Sequence, residues 1–110
     1  MEVHVRCLPE HSPALAEHTT RKIHQHLSRF AHRLRNVEAR LSDVNGPRGG
    51  CDKRCLFVAR GPGLGSLRVE ELHEDFYVGV DRALVRLEQA IGRSIARVRE
   101  RHAVADRRVS

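Results

Sequence analysis

Hydrophobic residues recur with a period of two in four short stretches of this chain and with a period near 3.6 in two long ones. Residues 2–8 place Val3, Val5 and Cys7 opposite His4 and Arg6, the alternation of a half-buried strand, and Pro9 closes it. Ser12 followed by Pro13 then predicts a helix start, because the hydroxyl can cap free amides and Pro is tolerated at the first helical position. From there Ala16, Thr20, Ile23, Leu27, Phe30 and Leu34 share one side of a helix running to about His32 or Leu34. Val37, Ala39 and Leu41 alternate with Glu38, Arg40 and Ser42 as a second strand, and Asn45 to Gly50 is a loop rich in chain breakers. A third strand runs from about Lys53 to Arg60. The Gly61-Pro62-Gly63-Leu64-Gly65 turn leads into a fourth, from Ser66 to Leu72, with Leu67 and Val69 facing away from Arg68 and Glu70.

The stretch from Asp75 to Arg97 predicts a second helix with two opposed faces. At about 100° per residue, Tyr77, Val80, Leu84, Leu87, Ile91, Ile95 and Val98 form a narrow apolar stripe, while Arg82, Arg86, Gln89, Arg93 and Arg97 form another roughly 160° away. The order is therefore β-α-β-β-β-α. Two amphipathic helices need a common apolar platform, which a four-stranded sheet with both helices on one face provides. The expected fold is α+β, with a right-handed crossover making strands one and two parallel and hairpins making the rest antiparallel, so the sheet is mixed. A single domain is expected over residues 1–102. Residues 103–110, where the periodicity stops, are expected to form a short polar tail.

Charge adds a direction to this layout. The 110 residues carry a formal net charge of +6, and all but Lys22 and Lys53 of the basic residues are Arg, which pairs bidentately with phosphate and stacks on bases. Charged helix faces are ordinarily solvated faces of mixed sign. Here the second stripe has Arg at four of its five positions, with Asp81 and Glu88 at its margins. On the first helix, His18, Arg21, Lys22, Gln25, Arg29 and His32 form a stripe that contains no carboxylate. Side by side on a sheet, such faces would merge into one positive surface suited to a phosphate backbone. No basic start precedes an apolar run, and no stretch has the length of a membrane span, so a cytoplasmic protein without membrane attachment is expected.

The motif Asp75-Phe76-Tyr77-Val78-Gly79-Val80-Asp81, followed by Arg86-Leu87-Glu88 and a basic helix, resembles the ribosome hibernation-promoting factor and ribosome-associated inhibitor A family. The corresponding family segment reads Asp-Met-Tyr-Ala-Ala-Ile-Asp, then Lys-Leu-Glu. The resemblance extends to about His102 and to the element order. It implies a protein of translational silencing, in stress and stationary phase, that sits on the small ribosomal subunit, contacts rRNA through both helices and excludes mRNA and tRNA from their channel. Carried over to matching positions, the implied rRNA-binding residues are Arg21, Lys22, Arg29, Arg82, Arg86, Arg93 and Arg97, with His18, Gln25, His32 and Gln89 beside them in the same stripes. The chain departs from the pattern at Phe76 and at Val78-Gly79. It departs again at Gly92, where a helix former is expected and Gly costs about 1 kcal/mol relative to Ala. It resembles a short form, without the C-terminal dimerisation domain of long members, and is expected to be monomeric off the ribosome.

Other chemistry is weakly signalled. Cys7, Cys51 and Cys55 are an odd set in a chain without secretion signals, expected to be reduced thiols, and Cys51 with Cys55 lacks a second matched pair for zinc. His24 and His26 diverge on a helix, and His73-Glu74 lacks the second His of a metalloprotease motif. Gly61, Gly63 and Gly65 precede a strand, which suits a hairpin better than a phosphate cradle. No catalytic residue, metal site or cofactor is expected. The alternatives are a general double-stranded RNA binder, since the α-β-β-β-α core also looks like a double-stranded-RNA-binding domain, and a thiol- or metal-based regulator using the cysteines.

Overall fold

Four strands pair in the order β1-β2-β3-β4, each beside its neighbour in sequence. They span Glu2–Leu8 (β1), Asn36–Asp43 (β2), Lys53–Gly61 (β3) and Gly65–His73 (β4). The computed structural model describes residues 1–8, 13–44 and 52–109, the last five by backbone alone, so Pro9, the Ser12 cap, the Asn45–Gly50 loop and Cys51 lie outside the described residues. β1 and β2 are parallel and the other two pairings antiparallel, as the crossover-plus-hairpins reading requires. The helices are α1, Pro13–Leu27, and α2, Phe76–Val109.

The sheet's inner face comes from the alternation read in the sequence. Val37, Ala39 and Leu41 of β2 and Cys55, Phe57 and Ala59 of β3 are fully buried, and Val3, Val5 and Cys7 of β1 pack against them. Pro62 and Gly63 occupy the two central turn positions between β3 and β4. The Leu64 amide donates to the Gly61 carbonyl at 3.0 Å, and Gly63 has φ +78°, the demand that a type II turn makes on its third residue. That turn sends Leu64 inward, where it is buried.

Both helices differ in detail from the sequence reading. On α1 the buried residues are Leu15, Thr19, Ile23 and Leu27, one position out of phase with Ala16 and Thr20 at its start. After Leu27 the chain tightens into a 3-10 turn, Ser28–Arg33, instead of continuing as α-helix. Its faster rotation per residue leaves Phe30 half-buried while Leu34 still reaches the core. On α2 the core residues include Phe76, Val80, Ala83, Leu84, Leu87, Ile91 and Ile95. Tyr77 is 42% exposed and is not core; Phe76 takes the first inward position. The helix also continues beyond His102 to Val109, through the stretch expected to be a short polar tail. Arg99 to Val104 are all exposed, and a helix that buries nothing leaves no apolar period to read.

Candidate nucleic-acid interface

Asp75 sets the phase of α2. Its Oδ1 accepts the Tyr77 amide at 2.8 Å, an N-cap bond, and the helix begins at Phe76. With Phe76, Val80, Leu84, Leu87 and Ile91 on the sheet, 100° steps turn Arg82, Arg86, Gln89, Arg93 and Arg97 outward, and all five are exposed. On the first helical segment Arg21, Gln25, Arg29 and His32 are exposed, whereas His18 and Lys22 are half-buried.

Between the two basic faces lies a carboxylate seam. Lys22 Nζ is 3.6 Å from Asp81 Oδ1, and Glu88 accepts from His26 Nδ1 at 3.1 Å and forms an ion pair with Arg29 at 3.2 Å. The acids at the margin of the α2 stripe are thus docking points for α1, and the two positive faces flank them instead of merging. Arg86 turns toward the sheet edge, where it donates to Glu71 at 2.7 Å and to the Glu70 carbonyl at 3.0 Å. Lys22, Arg29 and Arg86 are therefore held in internal pairs. Arg21, Arg82, Arg93 and Arg97 make no ion pair or side-chain hydrogen bond among the described residues.

The outer face of the sheet is also rich in Arg, but there four arginines share two carboxylates. Arg40 and Arg60 share Glu38 at 3.3 and 3.5 Å, and Arg54 and Arg68 share Glu70 at 3.0 and 3.7 Å. Arg40, Arg60 and Arg68 line a shallow hollow on this face together with Leu56 and Val58.

A groove opens where the 3-10 turn passes the C-terminal half of α2. It holds about 380 Å3, with Phe30, Gly92 and Ile95 on its walls and Arg29, His32, Arg33 and Arg99 around them, and no carboxylate lines it. The Arg29 guanidinium carbon lies 4.6 Å from the Phe30 ring centroid. A Cβ on Gly92 would meet nothing within 4 Å. Sequence reasoning missed Arg33 and Arg99, which fall outside both stripes; the out-of-place Gly92 was the available signal.

The titratable groups give little support to thiol or metal chemistry. Burial, with a smaller contribution from Glu71, pushes the Cys55 thiol up to about 12, which keeps it protonated, and its Sγ donates to the Phe76 carbonyl at 3.9 Å. Burial also raises Cys7. Among the described residues no cluster of three or more His, Cys, Asp or Glu could hold a metal ion, and no helix is long and apolar enough to cross a membrane. His18 sits edge-on to Tyr77 with ring centroids 4.7 Å apart. Desolvation lowers its pKa, Arg21 and Lys22 lower it further, and Asp81 opposes them.

The sequence matches the family model described as sigma 54 modulation protein / S30EA ribosomal protein over residues 2–99. Among solved structures, a ribosomal subunit interface protein from Coxiella burnetii superposes with a TM-score of 0.74 at 22% identity, covering 87% of this chain and 99% of that one. The Protein Y N-terminal domain from Thermus thermophilus gives 0.65 at 27% identity, covering 84% and 98%. No curated protein matches the sequence. These neighbours share the observed fold and lend no support to the comparison with double-stranded-RNA-binding domains.

Proposed function

We propose that this chain, which belongs to the sigma 54 modulation protein / S30EA ribosomal protein family, is a non-enzymatic inhibitor of translation that docks on the small ribosomal subunit by its helix faces. In this reading it binds rRNA phosphates, occupies the channel of mRNA and tRNA, and stores ribosomes in stress and stationary phase. It is cytoplasmic, and monomeric when off the ribosome. Inhibition needs occupancy alone, so no catalytic group is required.

The observation that carries this reading is the uneven compensation of charge. Arg40, Arg54, Arg60 and Arg68 on the outer sheet face are paired with Glu38 and Glu70, whereas Arg21, Arg82, Arg93 and Arg97 on the helix side face solvent without a partner among the described residues. An unmatched row of guanidinium groups on a rigid helix fits a run of phosphates. Lys22, Arg29 and Arg86 are secondary: each keeps its carboxylate partner, so each adds less to phosphate binding than the four unpaired arginines.

The test compares two triple charge reversals of equal net change. Arg82, Arg93 and Arg97 replaced by Glu should abolish sedimentation with small subunits and relieve inhibition of translation, with native far-UV circular dichroism. Arg6, Arg40 and Arg68 replaced by Glu, on the opposite side of the sheet, should keep most of the binding. Loss of binding in both variants alike would reduce the effect to bulk charge and remove the docking face. Binding of simple RNA duplex as tight as that of small subunits would favour a general double-stranded RNA binder.

A further inference from the structure

We propose that the groove between the 3-10 turn and α2 receives one unstacked nucleotide of the bound RNA, with its base against the Arg29–Phe30 stack and its phosphate on Arg33 and Arg99. The inference rests on the reading of this chain as an RNA-binding protein, and it adds to that reading a subsite that distinguishes a splayed base from a phosphate backbone.

Three observations point the same way. First, Arg29 is fixed in place, its guanidinium over the Phe30 ring at 4.6 Å and its edge on Glu88 at 3.2 Å, while its side chain stays 65% exposed. A guanidinium held on one face by a ring offers its other face to a base, and its rotamer freedom is already spent. Second, the groove is lined by three arginines and a histidine with no carboxylate, and its 380 Å3 lies within the range of small-molecule sites, roughly 300–1,000 Å3. Third, Gly92 interrupts a helix interior although nothing among the described residues lies within 4 Å of the Cβ position beside it. A Gly in a helix interior costs helix propensity relative to Ala and leaves the space of a side chain open to a close neighbour. No described residue fills that space, and the cations around it suit a negatively charged occupant.

The occupant is a nucleotide within single-stranded RNA because the groove supplies both a stacking plane and phosphate cations, beside a helix row suited to neighbouring phosphates. A free nucleotide shares the same chemistry, so the experiment separates the two. The probes are a single-stranded RNA hexamer, adenosine 5′-monophosphate and inorganic phosphate, followed by NMR at the Phe30 ring and the Gly92 and Ala96 amides. The hexamer should shift all three and bind more tightly than the mononucleotide, and phosphate alone should leave the Phe30 ring unmoved. Gly92→Leu fills the groove without changing charge; it should keep or raise Tm and weaken hexamer binding at least tenfold. Phe30→Leu, which keeps apolar bulk, should erase the preference for mononucleotide over phosphate.

An unshifted Phe30 ring, phosphate reproducing the full pattern, or Gly92→Leu binding the hexamer like the parent protein would each overturn the subsite. A mononucleotide that binds more tightly than the hexamer would overturn the assignment to RNA. The functional reading fails separately: if the parent protein does not sediment with small subunits while the hexamer still occupies the groove, the subsite stands without the ribosome. If the parent protein and Gly92→Leu sediment equally well, ribosome binding stands and the subsite's part in it is overturned.

Discussion

Gly79 shows how a departure from the family pattern is compensated by a single neighbour. A Cβ at this position would lie 2.9 Å from Cys55 Sγ and 3.4 Å from His73 Cβ, so the helix approaches β3 and β4 more closely than Ala permits. The buried thiol on the strand and the missing methyl on the helix are therefore one choice made at two positions. Gly79→Ala gains about 1 kcal/mol of helix propensity but meets an overpacking cost of about 1–3 kcal/mol, so it should destabilise the protein modestly. In a Cys55→Ala background the clash is gone, and the same substitution should become stabilising. Urea unfolding of the four proteins in this cycle measures the change of sign; two independent, additive effects would mean that the sulfur does not set the approach.

At the scale of the element, the phase of α2 is decided by its cap. Asp75 accepts the Tyr77 amide, so Asp75→Ala should cost about 1 kcal/mol in urea unfolding while Asp75→Asn retains most of the stability. An equal loss in both variants would show that charge rather than the cap bond matters. The same cap explains why the sequence placed Tyr77 in the core. Tyr77 sits on the edge of the apolar stripe by angle alone, and only the helix start tells that Phe76 faces inward while Tyr77 leans on His18. The strands were legible because alternation has a period of two, and their pairing because short connections permit few partners. The 3-10 turn was not, since Ser28–Arg33 continues the helix in composition and differs only in pitch, which tertiary contact with the end of β3 decides. A Cβ on Gly61 there would overlap the Arg33 carbonyl. Likewise the Arg stripe could be read from periodicity, but not the partners of Lys22, Arg29 and Arg86, which come from other elements.

At the scale of the whole molecule, those internal pairs determine how steeply binding should depend on salt. Each phosphate contact with RNA releases condensed counterion and contributes about −0.7 to the slope of log affinity against log salt on a single-strand scale. If all seven basic residues of the two helix faces met phosphate, the slope would be about −5; if only Arg21, Arg82, Arg93 and Arg97 did, it would be about −3. Lys22 and Arg29 are tied to the carboxylates that join α1 to α2, and Arg86 to the edge of β4, so leaving these partners exposes Asp81, Glu88 and Glu71 near an anionic surface. Repulsion from the freed carboxylate would cancel much of each new attraction within a Debye length of about 8 Å. With the one further phosphate placed on Arg33 and Arg99, the expected slope for small-subunit binding therefore lies between about −3 and −4. Substitutions locate the contacts individually: Arg93→Gln should make the slope shallower by about 0.7, and Lys22→Gln should leave it unchanged. A slope near −5 that Lys22→Gln also reduces would mean that docking breaks the inter-helix pairs, and the binding surface would then include the seam between α1 and α2 as well as the free arginine row.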